Sequence, residues 1–266
     1  MTRHRPGRQN RGVTPEQTGA AAKRAVLELG GAFAECPKTL RRARQLGLTG
    51  WAFYVVGRGG VLGDVRPDTA AAALGFIASD AVRDGWEAAR RVGAPYEIAE
   101  RYREQCCRWG RENLDPFARV ARLVTLAEEV VLAADAAGMP LFAAWRAMPM
   151  PEDGLGARAA VLGHLLREHR MAAQLLAIRA GGLTPLEAVL AGSDGEAGAV
   201  AFGWQPPFPP HQPLLRRFIR AEAVADRIVG EAYGVLDVGQ RVELVGLLDA
   251  VTADLRSPVG RHPAMS

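Results

Sequence analysis

Apolar residues recur three and four positions apart over most of the chain between residues 15 and 256. This spacing places them on one face of an α-helix. No alternation of strand and helix patterns interrupts it, so we predict an all-α, multi-helix bundle. The periodicity predicts twelve helices, at residues 15–30, 37–46, 49–57, 68–79, 80–92, 95–112, 116–137, 139–147, 156–179, 185–192, 213–233 and 239–256.

Some of these helices carry residues that favour a start or an end. Thr184 is followed by Pro185 and Glu187, which form a capping box with proline in the first helical turn. Gly138 and Gly181 stand where the preceding helices should end. These residues support the predicted boundaries independently of the periodicity.

The segment 192–212 is rich in glycine and proline and has no helical period. Its prolines, with Pro213, favour an extended path. We predict that it links a main helical body to a C-terminal helical region that resembles a degenerate helix-turn-helix. The predicted divisions are a disordered basic tail at 1–14, the body at 15–191, the linker at 192–212, a helical pair at 213–258 and a tail at 259–266.

Residues 51–65, WAFYVVGRGGVLGDV, place glycines after an apolar run and so resemble a dinucleotide-binding loop. Such a loop needs a helix that begins at its last glycine, and an acidic residue about 20 positions further on, at the end of a second strand. In this chain Pro67 delays the next helix, and residues 79–80 lie in a helical pattern. We therefore interpret the glycines as a turn between two helices.

Composition and charge narrow the class of protein. The hydrophobic content of 48% and charged content of 23% are typical of a soluble globular protein. The net charge of +4 is concentrated in an arginine-rich start, which no apolar segment follows as it would in a secretory signal. No apolar run reaches the ~18 residues that a membrane span needs. We expect a cytoplasmic protein without membrane contact.

Four blocks of the chain resemble a known family when taken in order: GLTGWAFYVVGRGGVLGDV (47–65), AALGFIASDAVRDGWEAARRVGAPYEIAERY (72–102), MPLFAAWRAMPMPED (139–153) and LLREHR (165–170). They are similar to an uncharacterised family of helical actinobacterial proteins described as helix-turn-helix-like. The resemblance implies a helical architecture and no particular reaction. The family pattern has a C-terminal wing that this chain does not match. It also has histidines where this chain has Val161 and residues 171–174, so we predict no metal site and assign no cofactor.

The candidate chemistry concentrates on the predicted helix 156–179. On a helical wheel His169 lies near the middle of the apolar face and Glu168 lies at its edge, whereas His164 and Arg170 lie on the opposite side. A histidine and a glutamate on a buried face need partners, because an unpaired buried polar group costs about 1–3 kcal/mol. The two residues either line a cavity as a catalytic acid–base pair or make structural contacts between helices.

Aromatic side chains in and near the glycine-rich stretch 51–65, the glycine block, indicate an apolar ligand pocket. The same aromatic residues could equally be core residues, and the sequence leaves both interpretations open. The candidate ligand-binding residues are Trp51, Tyr54, Arg58, Phe76 and Arg170.

The C-terminal region, residues 203–266, is where DNA binding would be expected. It contains seven arginines and seven acidic residues, so its net charge is zero. A DNA-binding surface generally needs clustered positive charge. Only RRFIR, residues 216–220, forms a local basic patch, and acidic residues follow it closely.

Three functions are compatible with these features. The main hypothesis is the binding, with or without turnover, of a small organic molecule in a pocket of the body. The alternative is a DNA-binding transcriptional regulator, or a degenerate relative of one, that uses the C-terminal region. The second alternative is a non-catalytic partner protein. We also expect association into a homo-oligomer through exposed apolar helix faces.

Overall fold

The computed structural model describes residues 13–257 of the chain. It is 74% helical, and its described residues form thirteen α-helices and no strand. The all-α prediction is therefore confirmed. The helices are α1 (Pro15–Gly31), α2 (Pro37–Gln45), α3 (Gly50–Gly59), α4 (Pro67–Leu74), α5 (Ser79–Arg90), α6 (Pro95–Leu114), α7 (Val120–Ala133), α8 (Pro140–Arg146), α9 (Leu155–Ala180), α10 (Pro185–Ala191), α11 (Gly195–Ala201), α12 (Leu215–Tyr233) and α13 (Val238–Arg256).

The twelve helices that the periodicity predicts are all present, most with ends within about two residues of the prediction. The capping box of Thr184 and Glu187 forms at the start of α10, as the sequence predicts. The helix that the sequence did not predict is α11, which lies inside the predicted linker 192–212. Its seven residues, GEAGAVA, contain two glycines and span only about two turns, which is too short to show a helical period.

Helix α9 runs through the centre of the molecule and packs against α1, α6, α7, α8 and α12. Glycines let two neighbouring helices approach its backbone closely. A Cβ atom on Gly30 of α1 would lie 2.5 Å from the carbonyl oxygen of Gly163, and one on Gly110 of α6 would lie 2.3 Å from that of Gly156. Because helices surround α9 on several sides, it is buried over most of its circumference.

The C-terminal helices α12 and α13 pack against α1, and α12 also packs against α9. Val229, Tyr233, Leu244 and Leu247 are buried in the same apolar core as the helices of the predicted body. The division into a body, a linker and a C-terminal pair stays a prediction. The predicted basic tail at 1–14 lies outside the described residues except for Val13 and Thr14, and so does the tail at 259–266.

The glycine block forms a close helix contact as well as a turn. Helix α3 continues to Gly59, so the predicted turn is wrong for Gly57 and Gly59 and correct for Gly63, whose φ is +81°. A Cβ atom on Gly57 would lie 2.4 Å from the ring of Tyr102 in α6. Gly57 is therefore needed where α3 approaches α6, Gly59 lies close to Trp86 of α5, and Gly63 is needed for its backbone angle.

None of the helices between residues 13 and 257 combines the length and the apolar composition that crossing a membrane requires.

Candidate functional site

A buried ion pair joins α3 to the central helix α9. Arg58 Nε and Nη2 donate to Glu168 Oε1 and Oε2, and both distances are 2.9 Å. The Arg58 and Glu168 side chains are 3% and 1% exposed. Trp145 of α8 donates its indole N–H to the Arg58 carbonyl oxygen at 3.0 Å, which fixes the end of α3. Such a bidentate contact holds both side chains in one orientation.

Two further residues extend this pair into a network. The hydroxyl oxygen of Tyr54, one turn before Arg58, accepts hydrogen bonds from Arg58 Nη1 at 3.0 Å and from Arg167 Nη2 at 3.1 Å. Arg167 Nη1 also donates to Glu168 Oε1 at 3.1 Å. Burial alone would raise the pKa of Glu168, but the nearby positive charge of Arg58 and Arg167 outweighs it and lowers that pKa to about 2. Glu168 is therefore a carboxylate and cannot act as a general acid at neutral pH.

His164 lies beside this network without joining it by a hydrogen bond. Its Nε2 is 3.9 Å from Glu168 Oε1, and neither ring nitrogen has a hydrogen-bond partner within the described residues. The rings of Trp145, Phe33 and Tyr102 surround it, with centroids 4.6, 5.6 and 6.2 Å away. Burial lowers the pKa of His164 to about 4, so the imidazole is neutral at physiological pH.

A cavity of about 410 Å³ lies next to the ion pair, between α9 and the segment from η1 (Gly60–Leu62) to α4. Arg58 and Glu168 form its polar wall. Its volume is in the range of small-molecule binding sites. Most of the other residues are apolar, and the lining consists of Arg58, Leu62, Val65, Thr69, Ala72, Ala73, Leu74, Phe76, Gly138, Pro140, Leu141, Glu168, Met171, Ala172, Leu175 and Leu176.

The structure brings three of the sequence-predicted site residues to this cavity: Glu168, Arg58 and Phe76. Tyr54 contributes indirectly by binding Arg58. Trp51 does not line the cavity, and its indole N–H donates to the carbonyl oxygen of Ala81 at 3.2 Å. The sequence did not indicate that Arg167 belongs to the network or that α4 forms a cavity wall.

The structure does not bring His169 together with Glu168. Consecutive residues of a helix point in directions about 100° apart, and His169 packs against the ring of Phe142 with a centroid distance of 4.8 Å. Burial and the charge of Arg146 lower the pKa of His169 to about 4. The catalytic roles suggested for Glu168 and His169 stay predictions, but the two side chains occupy different surroundings.

The helical wheel placed His164 and Arg170 on the side of α9 opposite to its apolar face, and in the structure this side is also buried. They are both 2% exposed. The wheel could not show this, because α9 is covered by other helices on the side that carries its polar residues. Arg170 pairs there with Glu222 and Asp226 of α12.

On α12, two acidic side chains point towards the protein interior, and three basic side chains point towards solvent. Glu222 binds Lys23, Arg170 and Gln174, and Asp226 binds Arg170. Arg216, Arg217 and Arg220, which we call the α12 patch, are exposed, and within residues 13–257 none of them pairs with a carboxylate. The three arginines of the α12 patch are therefore exposed, whereas Glu222 and Asp226 on the same helix point inward.

Four-residue connections like those of helix-turn-helix units join five pairs of consecutive helices among the described residues, and α2–α3 and α12–α13 are two of these pairs. Residues 46–49 join α2 to α3, and residues 234–237 join α12 to α13. In neither pair does the second helix present a basic row. The only basic residue of α3, Arg58, is buried, and Arg241 of α13 donates to backbone carbonyl oxygens.

Metal ligands are not clustered in the described part of the chain. Between residues 13 and 257 there is no group of three or more histidine, cysteine, aspartate or glutamate side chains that could hold a metal ion. Cys106 and Cys107 are buried, and burial raises the pKa of both thiols, well above the usual value for Cys106.

A family model described as a helix-turn-helix family matches residues 19–210. This match covers α2, α3 and the cavity, and it ends before α12. No curated protein and no solved structure is significantly similar to the chain.

Proposed function

The chain belongs to a helix-turn-helix family, and we propose that it is a regulator-type protein that binds double-stranded DNA. The α12 patch, Arg216, Arg217 and Arg220, is the observation that supports this proposal. Proteins bind the DNA backbone by placing arginine and lysine side chains against phosphates. The inward direction of Glu222 and Asp226 leaves the positive charge of the patch without neighbouring carboxylates.

A second basic surface lies on α2 within the matched residues. We call Arg41, Arg42 and Arg44 the α2 patch. The exposed Glu35 precedes it, and Lys38 of the same helix already pairs with Glu112 of α6. Glu222 and Asp226, which follow the α12 patch, are paired with residues of α1 and α9, whereas Glu35 before the α2 patch is exposed. We therefore favour the α12 patch as the DNA contact.

The test compares two triple variants that lose the same charge. Binding of a labelled DNA duplex of about 30 base pairs is measured by fluorescence anisotropy over a range of salt concentrations. Arg216→Ala, Arg217→Ala and Arg220→Ala together are expected to weaken binding by about tenfold or more and to make the salt slope shallower by about two to three. Arg41→Ala, Arg42→Ala and Arg44→Ala together serve as the matched control.

Two results would contradict this proposal. If the intact protein does not bind duplex DNA even at low salt, it does not act as a DNA-binding regulator by itself. If the α2 variant loses as much affinity as the α12 variant, the contact is not confined to the α12 patch.

A second candidate function is the binding of a small organic molecule in the cavity beside Arg58 and Glu168. The observation that favours it is the cavity itself, which has about 410 Å³ of space between a mostly apolar wall and a buried ion pair. Native mass spectrometry of the protein purified from its own host is expected to show a retained small molecule. The variant Ala73→Phe, which narrows the cavity, should release it. A mass equal to that of the bare chain in every preparation would count against this function.

A further inference from the structure

The cavity wall has an uneven distribution of polar groups. Its inner end carries Arg58 and Glu168, which are nearly completely buried. Residues such as Thr69 and Ala72 on α4 are exposed and mark the side where the cavity meets solvent. Leucine, alanine, methionine and phenylalanine side chains form most of the wall between these two ends. A ligand therefore needs an apolar body and one polar end.

Arg58 has hydrogen-bonding capacity that its protein partners do not use. A guanidinium group has five N–H donors. In the described part of the chain, Arg58 uses three of them, two on Glu168 and one on Tyr54. A buried donor without an acceptor is unfavourable. The polar end of the ligand should therefore accept hydrogen bonds.

The charges around the inner end also favour an anion. Arg58 and Arg167 both contact Glu168, so two positive side chains share one carboxylate. His164 is neutral at physiological pH because burial lowers its pKa. The hydroxyl of Tyr54 accepts hydrogen bonds from both arginines. The network thus has an excess of one positive charge at a largely buried position, which favours an anionic group over a neutral or cationic one.

We propose that the cavity binds an apolar monocarboxylate, with its carboxylate at Arg58 and its hydrocarbon body along α4 and α9. Arginine recognises carboxylates through paired N–H donors, and the apolar wall excludes molecules with many polar groups. This inference rests on the second candidate function, the binding of a small molecule in this cavity, and adds the chemical class of the ligand.

The experiment uses three probes that share a ten-carbon chain: decanoate, decanol and decylamine. Their binding to the full-length protein is measured by isothermal titration calorimetry at neutral pH. Decanoate is expected to bind roughly tenfold more tightly than decanol, because only the carboxylate can pair with Arg58. Decylamine is expected to bind least, since its ammonium group would lie next to the Arg58 guanidinium in a network with net positive charge.

Two substitutions test whether decanoate binds in the cavity. Ala73→Phe adds a ring to the cavity wall without touching the ion pair, and it should abolish decanoate binding. Ala250→Phe adds the same ring at an exposed position of α13 outside the cavity and should leave decanoate binding unchanged. A third variant, Arg58→Gln, should remove the preference for decanoate over decanol wherever circular dichroism shows that it folds.

The outcomes separate this inference from the function on which it rests. Equal affinities for decanoate and decanol would overturn the carboxylate preference while leaving small-molecule binding in place. Decanoate binding that survives Ala73→Phe would overturn the assignment to this cavity. Failure of all three probes would also overturn the inference, and a small molecule retained in native mass spectra would still support the function itself.

Discussion

At the scale of single residues, the polar groups of α9 are held in fixed protonation states by their surroundings. Glu168 is ionised because Arg58 and Arg167 overcome the effect of burial on its pKa. His164 and His169 are neutral because burial lowers the pKa of each to about 4. Keeping two neutral histidines inside a folded protein links its stability to pH.

We predict that the free energy of unfolding falls as the pH is lowered from 6.5 towards 4. In this window the unfolded chain binds protons at His164 and His169 and the folded chain does not, so stability is fully present above pH 6.5 and is lost below it. Each histidine contributes up to about 2–3 kcal/mol of the loss at pH 4.5. Urea unfolding at several pH values measures this fall. His164→Phe should remove about half of it.

The contribution of Glu168 to the free energy of unfolding changes in a different pH range from that of the histidines. Its pKa in the folded protein is about 2, below its ordinary value, so the stability that it provides is present above its ordinary pKa and is lost only at more acidic pH. A fall between pH 6.5 and 4.5 that is unchanged in both His164→Phe and His169→Phe would show that other groups cause it.

At the scale of secondary-structure elements, glycines decide where helices can approach each other. Gly60 follows α3 with ordinary helical backbone angles, so its conformation alone would allow alanine. A Cβ atom there would lie 2.1 Å from the carbonyl oxygen of Pro95 at the start of α6. Such a contact forces the backbone to move. Gly60 is therefore required by packing and not by its backbone conformation.

Gly60→Ala is expected to lower the free energy of unfolding by about 1–3 kcal/mol, because α3 and α6 must separate to make room for the methyl group. Gly246→Ala is the matched control. Gly246 is exposed within α13, and nothing lies within 4 Å of the added Cβ atom. There alanine should stabilise the protein by about 0.5–1 kcal/mol, since it favours helix more than glycine does. Chemical denaturation measures both changes, and equal effects would contradict the packing argument.

At the scale of the whole molecule, α12 and α13 connect the outer surface to the central helix. Arg170 of α9 pairs with Glu222 and Asp226, and this contact turns the carboxylates away from the α12 patch. Tyr233 and Leu247 are buried in the main core. The matched family range ends at residue 210, so these two helices lie beyond it although they pack on helices within it.

A chain truncated after residue 210 is expected to lose cooperative unfolding, because removing α12 and α13 exposes the apolar faces of α1 and α9 that they cover. A chain truncated after residue 257 is the control and should unfold like the full-length protein. Thermal unfolding followed by circular dichroism distinguishes the two. A cooperative transition in the shorter chain, within a few degrees of the control, would instead support the predicted separation into a body and a C-terminal pair.

Local patterns in the amino-acid sequence predict twelve of the thirteen described helices. Apolar spacing, Thr184 and the prolines that open helices act through neighbours a few residues away, so they can be interpreted without knowing the fold. The candidate site was predictable in part, since Glu168, Arg58 and Phe76 all line the cavity. Helix α11 was missed because its short, glycine-rich sequence has no period, and its position depends on contacts with other helices.

The packing of the helices sets which side chains meet. Arg58 and Glu168 are 110 residues apart in the chain, and no local pattern joins them. The helical wheel placed Arg170 opposite the apolar face of α9, but it could not show that α12 covers that side and supplies its carboxylate partners. The same packing turned a C-terminal region of zero net charge into a helix with an outward basic patch. Local spacing fixes which face a residue occupies on its own helix, but the arrangement of the other helices decides what that face contacts.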